Sequence, residues 1–226
     1  QSSWRDPLLV DSVTYEHSVR KLRATCMKVN RRTQAERTAA TRASLIDAGR
    51  KLFGERGFAD VGTQEIVAEA GVTRGALYHQ FDDKKGLFVA VYDDVEQSIV
   101  AQIAAAVGER AAEDPLAALK ACMRLFLRLC TEPEVHRITL VEAPSVLGWS
   151  EWRARGEEFG FALVEGLIAA AIATGQAVEQ PTRPLAHVAI GALDEAALYV
   201  AAADDREAAT EQVAAVLERI VDSFAT

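Results

Sequence analysis

A chain of 226 residues, half of them hydrophobic and about a quarter charged, is long enough for one or two domains with real cores. Three cysteines and four histidines are too few for a disulfide framework, and they make a metal centre improbable. The net charge of −8 argues mildly against an anionic partner, but residues 1–86 hold 15 Lys/Arg against 11 Asp/Glu while residues 87–226 hold 10 against 22, so the basic part is the candidate for such a partner.

Alanine is abundant, prolines number six, and no run of alternating β-branched residues argues for a sheet, so the expected fold is all-α. No stretch approaches the ~18 apolar residues of a membrane span; the longest, residues 161–173, is interrupted by Glu165. No membrane association is expected. Asp11 and Glu16 break the only N-terminal apolar run that would resemble a signal peptide. Cys122 and Cys130 lie eight residues apart on one predicted helix, roughly 12 Å along its axis at ~1.5 Å per residue. That is too far for a disulfide. They read as small buried hydrophobes, and free thiols fit a reducing cytoplasm.

In chain order, residues 1–32 show weak periodicity and form an extension, either disordered or a basic arm. Thr33 and Glu36 then read as a capping box. The helix behind them places Leu45, Ile46, Gly49, Leu52 and Phe53 on one face and ends at Gly57, with Phe58 folding back. A short helix begins at Thr63 and buries Ile66, Val67 and Ala70. Gly71 breaks it, Thr73 caps a second short helix through Phe81, and Asp82 or Asp83 caps a third. That third helix carries an apolar stripe of Leu87, Phe88, Val91, Tyr92, Val95, Ile99 and Ile103. Asp114 and Pro115 open a helix to about Thr131 that is apolar on more than one face. A short helix over 134–142, a long one from Ser150 to Thr174, one from Pro184 to about Ala203 and a last over 207–224 complete the chain.

Two short helices joined by a tight glycine turn form a helix-turn-helix. The second helix of that motif presents its N-terminal residues to base edges in the major groove of double-stranded DNA. Leu77 and Phe81 supply its inner face, whereas Gly75 and Ala76 keep its outer face thin. Arg74 offers donors suited to guanine O6 and N7. Thr73, Tyr78 and His79 can bond phosphates. Outside such a motif Arg74 and His79 would read as solvated surface, and Tyr78 as a core aromatic.

The pattern Thr63, Ile66, Gly71, Val72, Gly75, Tyr78, Phe81, Lys84 and Leu87 resembles the DNA-binding signature of the TetR family of bacterial transcriptional regulators. The resemblance covers roughly residues 40–92 and departs at Val67, where alanine is more usual. It implies a helix-turn-helix domain over 33–86 and a larger helical effector-binding and dimerisation domain over 87–226. It implies a homodimeric repressor, released from a near-palindromic operator by a small molecule. It also implies phosphate contacts from Tyr78, Lys84 and Thr63, the last two at helix N-termini.

The last two helices are the expected dimer interface, a four-helix bundle. They offer Leu185, Val188, Ala192, Ala196 and Tyr199, then Val213, Val216, Leu217, Ile220 and Phe224. The competing expectation is that both stripes face their own subunit's core. Because the second part is acidic, a neutral or cationic apolar effector is expected rather than an anion. Candidate lining residues are Met123, Phe126, Leu127, Leu140, Trp149, Trp152, Phe159 and Leu163, with His136 and Glu142 as polar anchors; they serve equally as plain core. No nucleophile elbow, P-loop, dinucleotide loop or zinc-protease motif is present, so neither an enzyme nor a cofactor is expected. An activator, or a helical ligand- or partner-binding protein that keeps the motif as scaffold, stays open at this level.

Overall fold

Side chains that cap helices and glycines that end them divide the chain as local chemistry dictates. The structure is a computed structural model that describes the backbone of residues 12–226 and the side chains of residues 33–226. Contacts group the chain into two units, residues 1–44 and 45–226. Helix α1 spans Ser12–Arg56 without a break, so Thr33 and Glu36 lie inside it and start nothing. The residues before Thr33 include no Gly or Pro from Ser12 onward, so the helical ladder has no reason to stop there. The basic residues expected to form an arm, Arg20, Lys21, Arg23, Lys28, Arg31 and Arg32, lie outside the described side chains.

Within residues 45–226, α1 ends at Gly57, whose φ of +87° is left-handed. Phe58 then packs its ring 5.7 Å from Phe53 and 5.3 Å from Phe88. Helix α2 (Thr63–Glu69) and α3 (Arg74–Gln80) follow. Between them Gly71 has a φ of +64°, which a side chain would strain. Leu45, Leu52, Phe53, Val61, Ile66, Leu77, Leu87 and Phe88 bury one small core under these helices.

Helix α4 (Lys84–Glu113) is capped by Asp83, which accepts the Gly86 N–H at 2.7 Å. Its predicted stripe from Leu87 to Ile103 is buried throughout. Helix α5 (Pro115–Leu129), capped by Asp114, packs on α4 and on α8 (Trp149–Ala173) and α10 (Arg206–Asp222). Between α5 and α8 lie a single turn α6 (Pro133–Val135), a π-helical segment His136–Glu142, and α7 (Ala143–Leu147). Residues 143–147, between two predicted helices, are thus helical as well. Helix α8 starts after Gly148 rather than at Ser150, and α9 (Thr182–Ala202) starts two residues before Pro184.

Against the sequence expectation, α9 is long and apolar enough to cross a membrane by length and composition. Ala186, Ile190, Leu193 and Ala197 pack into the helical core, and Asp194 pairs with Arg153 at 3.7 Å. Part of its apolar content is thus used inside the protein. Among the described residues there is no sheet, only an isolated bridge between Ala177 and Ala225.

Candidate nucleic-acid interface and ligand cleft

Thr73 starts α3 from extended backbone, and its Oγ1 accepts the Ala76 N–H at 3.2 Å. Leu77 and Phe81 are buried on one side. On the other, Thr73, Arg74, Gly75, Tyr78 and His79 are exposed and Ala76 is half-buried. Tyr78 is 43% exposed, so it is no core aromatic. The Arg74 guanidinium donates to the Tyr78 hydroxyl at 3.4 Å and lies 5.5 Å from the ring centroid. Hydrogen bonding from Arg74, then from Thr63, holds the Tyr78 hydroxyl below the usual tyrosine value. Thr63, Tyr78 and Arg74 therefore form one bonded polar row across α2 and α3. A Cβ at Gly75 would meet nothing nearer than Thr73 Oγ1 at 3.9 Å. Internal packing does not demand glycine there; the outer face is simply thin.

Lys84 departs from its expected role as a plain phosphate ligand. Its Nζ donates to the carbonyls of Phe58 at 2.8 Å and Val61 at 3.0 Å, and lies 4.1 Å from the Phe58 ring centroid. An ammonium has three N–H groups, so one is left for a phosphate. Lys84 ties the α1–α2 loop to the start of α4. Lys84→Ala is expected to lower unfolding free energy by about 1–3 kcal/mol, since two half-buried carbonyls lose their donor. Thermal melting of the DNA-free protein checks this, and an unchanged midpoint would leave phosphate binding as the residue's only role.

Beyond this head, α4, α5, the π-helical segment, α8 and α9 enclose a cleft of about 770 Å³, part of it open to solvent. Phe126, Leu140, Trp152 and Leu163 line it. Met123 faces instead a second, apolar cleft of about 670 Å³ between α5, α8, α9 and α10. Leu127 is fully buried core, Phe159 is half-buried against that core, and Trp149 is 55% exposed with its ring 5.0 Å from that of Trp152. Neither polar anchor reaches the cleft. Winding with i→i+5 bonds puts Thr139 and Leu140 on the cleft wall, not His136 and Glu142. Burial, then Arg206, holds the His136 imidazole below its ordinary value, and its Nε2 is buried without a partner. Glu142 stands against Gly57 at the end of α1.

The polar groups of the cleft are ones that the sequence did not single out. Glu96 lies one turn after Tyr92 on α4, and Asp194 sits at the middle of α9. Burial lifts the Glu96 carboxyl to about 7 against the pull of the Tyr92 hydroxyl bond, with Asp194 adding to the rise. Burial likewise lifts Asp194 to about 6, opposed by Arg153. Cys122 and Cys130 also face the cleft. Burial raises Cys122 to about 11 and pushes Cys130 up as well, so both are protonated thiols acting as small apolar groups.

Ion pairs tie this region to the head and to the body of α4. Arg50 of α1 pairs with Asp94 of α4 at 2.9 Å and with Glu134 of α6 at 2.6 Å. Arg155 of α8 pairs with Asp93 of α4 at 2.9 Å. On the outer side of α9 and α10, Val188 is 67% exposed and Tyr199 57%, and Val216 and Ile220 are each 44% exposed. Ala196 and Leu217 are buried in their own subunit, while Leu185, Ala192, Val213 and Phe224 are half-buried. The expected dimer residues thus divide between an outward stripe and the subunit's own core.

The family model for bacterial regulatory proteins of the tetR family matches residues 45–91, and that for the tetracyclin repressor-like C-terminal domain matches residues 116–224. A solved TetR-family transcriptional regulator of Pectobacterium atrosepticum is 34% identical, with a TM-score of 0.76 over 84% of this chain and 97% of that one. The chain belongs to the TetR family. It is also similar to the Transposon Tn10 TetC protein of Escherichia coli, 28% identical over 65% of this chain and 73% of that protein. The HTH-type transcriptional regulator TtgR of Pseudomonas putida is 34% identical over 48% of this chain, which spans 51% of that regulator's length. As a TetR-family protein the chain is a DNA-binding transcriptional regulator and not an enzyme.

Proposed function

We propose that the protein is a homodimeric repressor that holds a near-palindromic operator through α3 and releases it when a small, largely apolar effector enters the cleft lined by Phe126, Leu140, Trp152 and Leu163. The observation that carries this is the double use of α4. Its first turn, from Asp83, follows α3 directly, and its Tyr92, Glu96 and Ile99 wall the cleft. Residues 45–86 serve DNA and residues 87–226 serve the effector and the partner subunit, in the cytoplasm.

On DNA, Arg74 reads a guanine edge, Gly75 and Ala76 let the helix approach, and Thr63, Thr73, Tyr78 and His79 hold phosphates. Two copies of α3 would lie about one turn of DNA apart, roughly 34–36 Å. A ligand shifts the DNA-binding equilibrium only by its differential affinity for two conformers. The cleft meets the head through α4 and through Glu134 and Glu142, which stand against Gly54 and Gly57 of α1. Widening the cleft moves both contacts.

Fluorescence anisotropy with DNA from upstream of the protein's own gene tests this. Arg74→Ala is expected to cost about 1–3 kcal/mol on the preferred sequence and to relax base preference. Unchanged affinity together with unchanged preference would remove Arg74 as the base reader. An apolar compound that stabilises the protein but leaves DNA affinity untouched would count against effector release.

A further inference from the structure

We infer that the cleft takes an apolar organic monocation, an ammonium group on a hydrocarbon or aromatic body, with Glu96 as its counter-charge. This rests on the cleft being the effector site proposed above. Besides the Tyr92 hydroxyl and two thiols, the ionisable groups in the wall are Glu96, Asp194 and Arg153. Arg153 is already engaged, 3.7 Å from Asp194 and 3.9 Å from Glu157. From α5 the only ionisable groups that the cleft receives are the protonated thiols of Cys122 and Cys130. Asp93, one residue from Tyr92, is held by Arg155. Glu96 is thus answered only by a hydroxyl, that of Tyr92.

An ionised carboxylate beside apolar walls is costly unless a cation meets it. An entering ammonium would supply that partner in a site that water screens poorly. The walls suit the same guest. Tyr92, Phe126 and Trp152 bring aromatic rings to the cleft, and ring faces attract cations. The raised carboxyl, at about 7, adds a consequence. Near neutrality Glu96 is partly protonated, and a bound cation would hold it ionised.

Three probes of one shape and different charge test this on the full chain: octylammonium, octanol and octanoate, titrated calorimetrically at mildly alkaline pH where Glu96 is ionised. Octylammonium is expected to bind at least about tenfold more tightly than octanol, a difference of ~1.4 kcal/mol, with octanoate weakest. In Glu96→Gln the ammonium's advantage over octanol should vanish. Leu163→Trp, which fills the cleft, should weaken octylammonium and octanol together. If octanol binds as tightly as octylammonium, or the preference survives in Glu96→Gln, the charge inference falls and the effector cleft stands. Tightest binding by octanoate would make Arg153 the anchor and overturn the inference as well. Failure of all three probes to bind, or binding that ignores Leu163→Trp, would sink the cleft as an effector site and the inference with it.

Discussion

Gly75→Leu is expected to leave the folded protein at least as stable as before and to weaken operator binding by tenfold or more. The two effects separate because the two faces of α3 do different work. Inside, Leu77 is fully buried and fixes the helix on the head. Outside, a Cβ at Gly75 would find no atom nearer than 3.9 Å. A leucine there breaks no packing, and better helix propensity than glycine contributes up to ~1 kcal/mol. Against DNA the same side chain stands between the helix and the base edges, beside Arg74. Holding Arg74 away from its guanine would cost ~1–3 kcal/mol. Thermal melting without DNA, with anisotropy on operator DNA at one fixed salt concentration, reads both sides. A variant that melts normally and binds normally would show that α3 does not approach the bases at this turn.

That separation was legible in the sequence because it rests on local chemistry. Thr73, Asp83 and Asp114 cap the helices that follow them within three residues, and cap signals are short-range. The stripe of α4 follows from the helical period alone. Lys84 was not legible in the same way. Its carbonyl partners lie 26 and 23 residues earlier in the chain, brought together only when the α1–α2 loop packs on α4. Glu96 and Asp194 form an intermediate case. Glu96 falls four residues after Tyr92 and three before Ile99, on the buried stripe, and Asp194 falls four after Ile190 on the core face of α9. A carboxylate at such a position is a visible anomaly. Whether it faces a void, an arginine or solvent depends on how four helices pack, which no single stripe encodes. His136 and Glu142 missed the cleft for a related reason: the π-helical winding of their segment is not announced by its residues, and an ordinary helix would aim them elsewhere.

Ile220→Glu is expected to convert the protein to monomers in sedimentation at micromolar concentration and to abolish tight operator binding. Leu217, one turn earlier on α10 and part of the same predicted interface, is the wrong place for this test. It is only 4% exposed and sits in its own subunit's core, so a charge there would unfold α10 before it reported on a partner. Ile220, Val216, Val188 and Tyr199 turn outward instead. Large apolar side chains gathered on two adjacent helices mark an interaction surface, and a second copy of the same stripe would complete a four-helix bundle. A carboxylate carried into that contact loses its hydration with no cation opposite, at a cost of several kcal/mol. The isolated subunit should still melt cooperatively, because an exposed glutamate on α10 removes no core contact. Operator affinity should fall by about a hundredfold or more, since two half-sites held by one dimer gain from effective concentration that a monomer lacks. A dimer that persists with Ile220→Glu, and again with Val188→Glu, would move the interface away from α9 and α10.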